Sequence, residues 1–493
     1  MEQQTPTGVL KNRIHCLVSP VFTQDLKKVI SFAQEVYSEK KRYNGVPMIN
    51  HVLEIAISLL ENGLDFNTAV ATIFHEIEMD CTIEKEIRKR FSDDVINILD
   101  GVKKIKRGTD SLDTNSEVII KYVLNVSKDL RPVYLKIYDT LQDIRSYDEI
   151  PEEKKKNKLY KALNIYGVLA EYLHLESLKK ELEEKAFSHS LPVEYRSITN
   201  KMESQGITEE ILNKYRGEIL QRVKESGIKA KVEGRIKSKY SIYKKLKKYE
   251  KEWIDPNITR LDDLIAFRVI TQDADSCYEI LEKLMDNGVI NEERFDDYIA
   301  NPKPNGYMAV QFPIQFPKIS DMFLEIQIVS EEMYQENLFG KASHIAYKAS
   351  QSRYAKPTNK YDWVKQIQEE IAKSKIENKQ VKSFPIKCNI FDDEVFTFTP
   401  GGKIIPLDKG NTVLDFAYRL HTDIGNKAES AKVNGQPAKL AQELETGDMI
   451  EIRMDKNKTY QKDATLDYAN SPSTKSKIRR NLKQGIKNNS KIG

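Results

Sequence analysis

From residue 22 to about 190, apolar residues recur at three- and four-residue spacing, as in Val52, Ile55, Ala56 and Leu59, and glycines are few. That period belongs to amphipathic helices, so the stretch is expected to be all-α. A second helical pattern covers about 206–230 and runs into GRIKSKYSIYKKLKK. After it the period changes. LIAFRVI (264–270), YMAVQFPI (307–314) and MFLEIQIV (322–329) are short β-type runs between helix-like and turn-rich pieces, which predicts an α/β domain with a mixed sheet. A linker rich in Lys, Glu and Gln follows at about 357–385. Beyond it EVFTFTP alternates like a strand, Thr412 and Asp415 form a helix start for VLDFAYRL, and Asn434-Gly435 marks a type I′ turn before MIEIRM. Strand, helix and strands in that order predict a small β-grasp-like domain.

At 493 residues the chain is too long for one hydrophobic core, and about three domains are expected. The patterns place them at 22–195 (helical), 200–355 (α/β) and 389–454 (small), with a linker at 356–388 and a tail at 455–493. Composition, 40% hydrophobic and 31% charged, is that of a folded soluble chain with no apolar run long enough to span a bilayer. The start, MEQQTPTGVLKNRIHC, lacks the pattern of a secretory signal, so a cytoplasmic location is expected. Cys16, Cys81, Cys277 and Cys388 are far apart and form no C-x-x-C pair, which argues for buried apolar residues over disulfides or a thiolate metal site. The net charge of +4 is too small for bulk nucleic-acid binding. Charge is uneven, however: after Ser471 come seven cations (Lys475, Lys477, Arg479, Arg480, Lys483, Lys487, Lys491) and no acid, a local anion-seeking element.

Candidate chemistry concentrates in the α/β region. In GRIKSKYSIYKKLKK, Lys237, Ser241 and Lys245 are four residues apart and would share one helix face, with Arg235 at its mouth. Such a row suits a polyphosphate. Taken alone, the segment reads first as a solvated, lysine-rich surface helix, since such stripes are common. Asp263 opens LIAFRVI, and Glu325 interrupts an otherwise apolar strand, where a carboxylate is costly to bury unless it meets a cation or does chemistry. On neighbouring strands the pair could hold Mg²⁺; on an edge strand they would be solvated acids. Between them RFDDYIANPKPNGYMAV forms a turn-rich loop that presents Lys303, Asn305 and Tyr307. Tyr307 could stack on a purine or simply pack.

These segments, together with DDLIAFRVI, LEIQIVSEEMY and FGKASHIAYK in the same order, resemble the synthetase domain of the RelA/SpoT family over roughly 200–350. The resemblance implies a nucleotidyltransferase-like fold and transfer of pyrophosphate from ATP to the 3′-hydroxyl of GDP or GTP. It implies ATP contacts for Arg235, Lys237, Ser241 and Lys245, Mg²⁺ binding by Asp263, and a shared metal or general-base role for Glu325. Lys303, Asn305, Tyr307 and Gln327 would hold the guanine nucleotide. Gln311, Val329 and Tyr334 stand where the family has His, Arg and His, which bears on nucleotide affinity and on GDP against GTP. Arg294-Phe295-Asp296-Asp297 is a hybrid of the family's R-x-K-D and E-x-D-D forms, and Asp296 favours the acidic, Mg²⁺-preferring class.

The helical region resembles the family's HD-type hydrolase domain through RYNGVPMINHV, FHEIEMD and LKIYDTLQDIRSYD. That implies a divalent site, Mn²⁺ in type, at His51, His75, Glu76 and Asp139, although any one of these residues alone is usually just a packed or exposed side chain. The family's H-D-x-x-E-D motif reads His75-Glu76-Ile77-Glu78-Met79-Asp80, with Met79 in place of the catalytic Glu, and Asp143 and Asn44 replace an Asn and a Ser. Hydrolysis is therefore expected to be weak or absent, and the domain to regulate synthesis. Residues 391–454 resemble a TGS domain, with His421 at the position for uncharged tRNA; TGS could equally be a regulatory cover. The tail could bind RNA phosphates, on the ribosome or elsewhere. A metal-dependent hydrolase and a non-enzymatic RNA-binding regulator are the alternatives; a homo-oligomer stays open.

Overall fold

A computed structural model describes residues 5–77, 81–110, 116–126, 129–173, 175–252, 254–255, 257–258, 261, 263–286, 288–303, 306–339, 394–455 and 458–489. By internal contacts the chain forms two compact units: Met1–Pro151 with Asn164–Leu169 and Glu370–Gly493, and Glu152–Leu163 with Ala170–Glu369. No helix among the described residues is long and apolar enough to cross a membrane.

The first unit begins with α1 (Pro6–Leu17), α2 (Thr23–Val36), α3 (Met48–Glu61), α4 (Phe66–Phe74), α5 (Cys81–Arg90), α6 (Asp93–Thr109), α7 (Ser116–Val126) and α8 (Arg131–Arg145). The periodic residues Val52, Ile55, Ala56 and Leu59 of α3 are fully buried, so the spacing does mark the core face. Arg131, at the start of α8, is buried too. Its guanidinium meets Asp65 at 3.0 Å, Asp94 at 2.5 Å and Asp129 at 2.6 Å, which ties the entries to α4, α6 and α8 together. A buried cation persists only when paired this fully. Cys16 is exposed, contrary to expectation, because it lies on the solvent side of α1; Cys277 is buried.

The second unit contains α9 (Glu152–Lys161) and, beyond α10 (Gly167–Tyr172), α11 (Glu176–Ser190), α12 (Pro192–Ser204) and α13 (Glu209–Ser226). Then come β1 (Lys231–Ile236), α14 (Lys239–Lys251), β2 (Ile265–Thr271), α15 (Ala274–Met285), β3 (Val289–Ile290), β4 (Asp296–Asp297), β5 (Val310–Gln315), β6 (Phe323–Ser330) and α16 (Glu331–Phe339). The sheet order is β1-β2-β6-β5-β3, with β4 also on β5. Among the described strands of this sheet only β2 and β6 pair in parallel, so the sheet is mixed. Strand alternation gives it two unlike faces. Phe267, Val269, Ile326, Ile328, Phe312 and Ile314 form a buried core with residues of α13 and α15, such as Tyr215 and Ile280. The opposite face carries Arg268, Glu325, Gln327 and Gln311.

The first unit resumes with β7 (Glu394–Phe398), β8 (Ile404–Asp408), α17 (Val413–Leu420), α18 (Thr422–Lys427), β9 (Ala428–Val433), β10 (Gln436–Ala438), β11 (Ile450–Met454) and α19 (Pro472–Asn489). β7 pairs with β8, and β9 lies between β10 and β11. The capping box at Thr412 and Asp415 is formed, and Asn434 and Gly435 both have positive φ (52° and 80°), as a type I′ turn requires. Asp415 also accepts the backbone N–H groups of Asn470 and Ser471, which fastens the tail to this domain.

This small domain rests on α6 and α7. Gly108 has no Cβ, and one placed there would come within 2.2 Å of the Tyr122 ring; the glycine thus lets Tyr122 lie against α6, where its hydroxyl donates to the Lys104 carbonyl at 3.1 Å. The outer edge of the ring meets Phe396 and Phe398 at centroid distances of 6.2 and 5.2 Å, and the Arg107 guanidinium covers Phe398 at 4.5 Å. Asn125 completes the seam by donating to the Glu394 carbonyl and accepting from Thr446.

Candidate functional site

On the polar face of the sheet, register sets the neighbours. Glu233, Arg268, Gln327, Gln311 and Asp296 lie opposite one another across β1, β2, β6, β5 and β4; Arg235, Ala266, Glu325 and Pro313 form the next row. The basic segment divides differently from its expected single helix. Ser238 is the N-cap, its hydroxyl accepting from Ser241 N, so α14 begins only at Lys239. Arg235 is thus an exposed residue of β1, and Lys237 lies in the short connection, whose backbone N–H donates to the Leu264 carbonyl at 2.9 Å. Ser241 and Lys245 remain on the helix.

The connection and α14 deliver both lysines to one carboxylate. Lys237 Nζ is 2.5 Å and Lys245 Nζ 3.0 Å from Asp263 Oδ2, while Asp263 Oδ1 is buried without a hydrogen-bond partner. Burial would raise the Asp263 pKa, but the hydrogen bond from Lys237 and the charges of both lysines outweigh it and hold the carboxyl below the usual range. Asp263 precedes β2 by two residues and does not open it. A hard cation could use the idle oxygen, so the donor set fits Mg²⁺. Ser241 Oγ accepts from Ser238 Oγ at 2.9 Å and is engaged at the helix entry.

Glu325 sits one strand over from β2, opposite Ala266, and accepts a 2.5 Å hydrogen bond from the Gln311 amide. Tyr307, three residues before β5, is held at an angle to Tyr298 (5.9 Å, 70°), with Lys303 Nζ 4.1 Å from the Tyr298 ring centre and 5.2 Å from that of Tyr307. Burial pushes the Tyr307 phenol up to about 12, so it stays neutral, a flat ring with one donor. Asn305 lies outside the described residues. Val329 is buried with Ile270, Ala309 and Met333, and the Arg268 guanidinium lies 5.1 Å from the Tyr334 ring centre. Arg268 went unnoticed as a site residue, although period-two alternation in LIAFRVI places it on the face of Ala266.

In the helical domain, ligand atoms of His51 (α3), His75 (end of α4), Glu76 and Asp139 (α8) all lie within 4.8 Å of one another. His75 Nδ1 donates to the Thr72 carbonyl at 2.6 Å, which leaves Nε2 facing Glu76 at 3.3 Å and Asp139 at 3.5 Å without hydrogen-bond alignment to either. Burial would lower His75, yet these carboxylates hold it up to about 9. A neutral ring with this tautomer offers its lone pair to a metal. Lys136 also contacts Asp139, and Arg42 joins Asp143 (2.7 Å) to His51 Nδ1. Because a guanidinium only donates, His51 Nδ1 is an acceptor and its other nitrogen carries the proton toward Asp139. Thus Glu76 and Asp139 fit a divalent ion as they stand, His75 fits once an arriving ion displaces its Nε2 proton, and His51 fits once Arg42 withdraws. Met79 lies outside the described residues. His421 is exposed at the start of α18, where its ring accepts from Asp423 N.

Three family models match the chain: an HD domain over residues 30–175, the region found in RelA/SpoT proteins over 234–352, and a TGS domain over 395–454. A guanosine-3′,5′-bis(diphosphate) 3′-pyrophosphohydrolase of Aquifex aeolicus is 32% identical over 474 residues, covering 94% of this chain and 65% of that protein. A GTP pyrophosphokinase of Myxococcus xanthus is 33% identical over 440 residues (87% and 56%), and a pyrophosphohydrolase of Vibrio cholerae, named like the first, is 32% identical over 437 (87% and 60%). A helical HD domain, a mixed-sheet α/β domain and a TGS domain in this order define the class. The chain belongs to the RelA/SpoT family. It spans 56–65% of the length of these three relatives, whose names divide between hydrolase and kinase.

Proposed function

We propose that this protein transfers pyrophosphate from ATP to the 3′-hydroxyl of GDP or GTP, with hydrolysis of the product weak or lost. The observation that supports it most is the Lys237–Asp263–Lys245 cluster with its idle carboxylate oxygen, beside a strand that presents Glu325. The triphosphate of ATP competes with Asp263 for the two ammonium groups. As they turn to phosphate, Asp263 is freed for Mg²⁺, so nucleotide and metal reinforce each other's binding. Bound Mg²⁺ supplies Lewis-acid stabilisation of charge on the phosphates. Tyr307 stacks on the guanine, Lys303 and Gln327 hold that nucleotide, with Asn305 as a further contact, and Glu325 takes the proton of the 3′-hydroxyl. The O3′–Pβ bond forms, the bond from Pβ to the α,β-bridging oxygen breaks, and AMP leaves; most of the acceleration then comes from positioning and charge. Arg235 and Ser241 complete the ATP site as the chain reorganises around the nucleotide.

The His51, His75, Glu76 and Asp139 cluster favours a second reading, Mn²⁺-dependent hydrolysis of the same product. The missing acid–base group at Met79 argues against it. Incubating the protein with ATP, Mg²⁺ and GDP or GTP should yield AMP and the 3′-diphosphorylated nucleotide. Product breakdown in Mn²⁺ without synthesis would overturn the first reading in favour of the second. Inactivity in both, with uncharged tRNA bound through His421 and the basic tail, would leave an RNA-binding regulator.

A further inference from the structure

We infer that Gln311 is a positioning residue for Glu325, clamping its carboxylate to the Tyr307 side of the polar face; the inference rests on the transferase reading above. Gln311 Nε2 donates to Glu325 Oε1 at 2.5 Å, and its Oε1 faces the Tyr307 hydroxyl at 3.5 Å. A carboxylate only accepts and a phenol can donate, so the amide has one orientation that serves both. Register makes the reach short: Gln311 on β5 pairs with Gln327 on β6, two residues from Glu325 and on the same face. Phe312, next in β5, is fully buried on the opposite side, so the strand cannot rotate to release the amide without losing core.

The consequence is geometric. One Glu325 oxygen is occupied by Gln311, and the other is left to meet the 3′-hydroxyl of a nucleotide stacked on Tyr307. Without the clamp, Glu325 can turn toward Lys237, Lys245 or Arg268, and the proton acceptor is no longer held where the hydroxyl arrives. The 3.5 Å Tyr307 contact is long for a hydrogen bond and tightens only if the ring moves as a base stacks on it. Positioning the acceptor is felt in turnover more than in ATP binding, because ATP meets the lysines and Asp263 on the other side of Glu325.

Steady-state synthesis by the full chain tests this with Gln311→Leu, Gln311→Glu and Gln311→His, each first checked for wild-type circular dichroism and melting. Leu keeps the volume without the hydrogen bond, Glu opposes the carboxylate, and His restores a donor. Expected are kcat losses of about 10–100-fold for Leu and Glu, with KM for ATP within about twofold. The His variant should recover most of the loss. Wild-type kcat in the Leu variant, or equal loss in Leu and His, would overturn the clamp, as would a loss confined to KM for ATP. If Leu proves misfolded, Glu against His decides alone. Failure of the transferase reading is separate: the unmodified chain would then release no AMP.

Discussion

The α/β face and the helical cluster are built from the same parts and differ in what their cations can do. Each sets carboxylates against cations and leaves one buried atom without a hydrogen bond, Asp263 Oδ1 in one and His75 Nε2 in the other. In the α/β domain the lysines approach from a connecting loop and a helix surface, 23% and 32% exposed, so each can swing to an incoming phosphate. In the helical domain Lys136 rises from the same helix as Asp139, is 14% exposed, and is held up in pKa by Asp139 against the pull of burial. Its charge belongs to the fold. An exchangeable ion pair suits the nucleotide site proposed above, whereas a captive one suits a scaffold.

Asp263→Asn removes the carboxylate that both lysines share and that the metal of the proposed reaction would use, and should cut AMP formation by about 10³-fold or more while leaving the melting temperature near wild type. Lys136→Met tests captivity: it strands buried carboxylates and should cost about 3–5 kcal/mol of stability, read as a lowered denaturation midpoint, whereas Lys245→Met should cost under about 1 kcal/mol and weaken ATP binding instead. Equal stability losses in the two would erase the distinction. Replacing Met79 by Glu together with Glu76→Asp should raise Mn²⁺-dependent product breakdown by about 10²-fold, measured as released pyrophosphate. Tyr307→Ala should raise KM for the guanine nucleotide by about 5–100-fold, with KM for ATP little changed.

The smallest effect lies outside both clusters. Asp273 caps α15, accepting from Ser276 N, and that bond holds its pKa below the ordinary value. Its contribution is thus present above the unfolded-state pKa and lost as pH falls through the folded one. Asp273→Asn keeps the cap without the titration, so acid unfolding monitored by circular dichroism should begin at slightly lower pH than in the wild type.

Legibility followed the range of the interaction. Val52 to Leu59, the alternation around Phe267 and Ile326, the Thr412–Asp415 box and the Asn434-Gly435 turn are local, and a period or a turn rule reveals them. The lysine segment misled because its four-residue spacing continues across Ser238, where side-chain capping ends the strand connection and starts the helix. The four members of the helical cluster are brought together only by the packing of α3, α4 and α8, so no spacing rule unites them and only the family resemblance suggested the set. Arg42 and Lys136 escaped for the same reason, and Gln311 registered as a departure from the family pattern without its two partners in view.

The aromatic seam at Tyr122 also decides what a freed TGS domain would look like. Phe396 and Phe398 are at most 1% exposed, so lifting the domain from α7 would wet two phenylalanines at once and strip Arg107 of its aromatic partner. Release is then a single step that a ligand covering the same rings would favour, and cold or chaotropic conditions, which weaken apolar adhesion, should loosen this joint before they loosen the helical core.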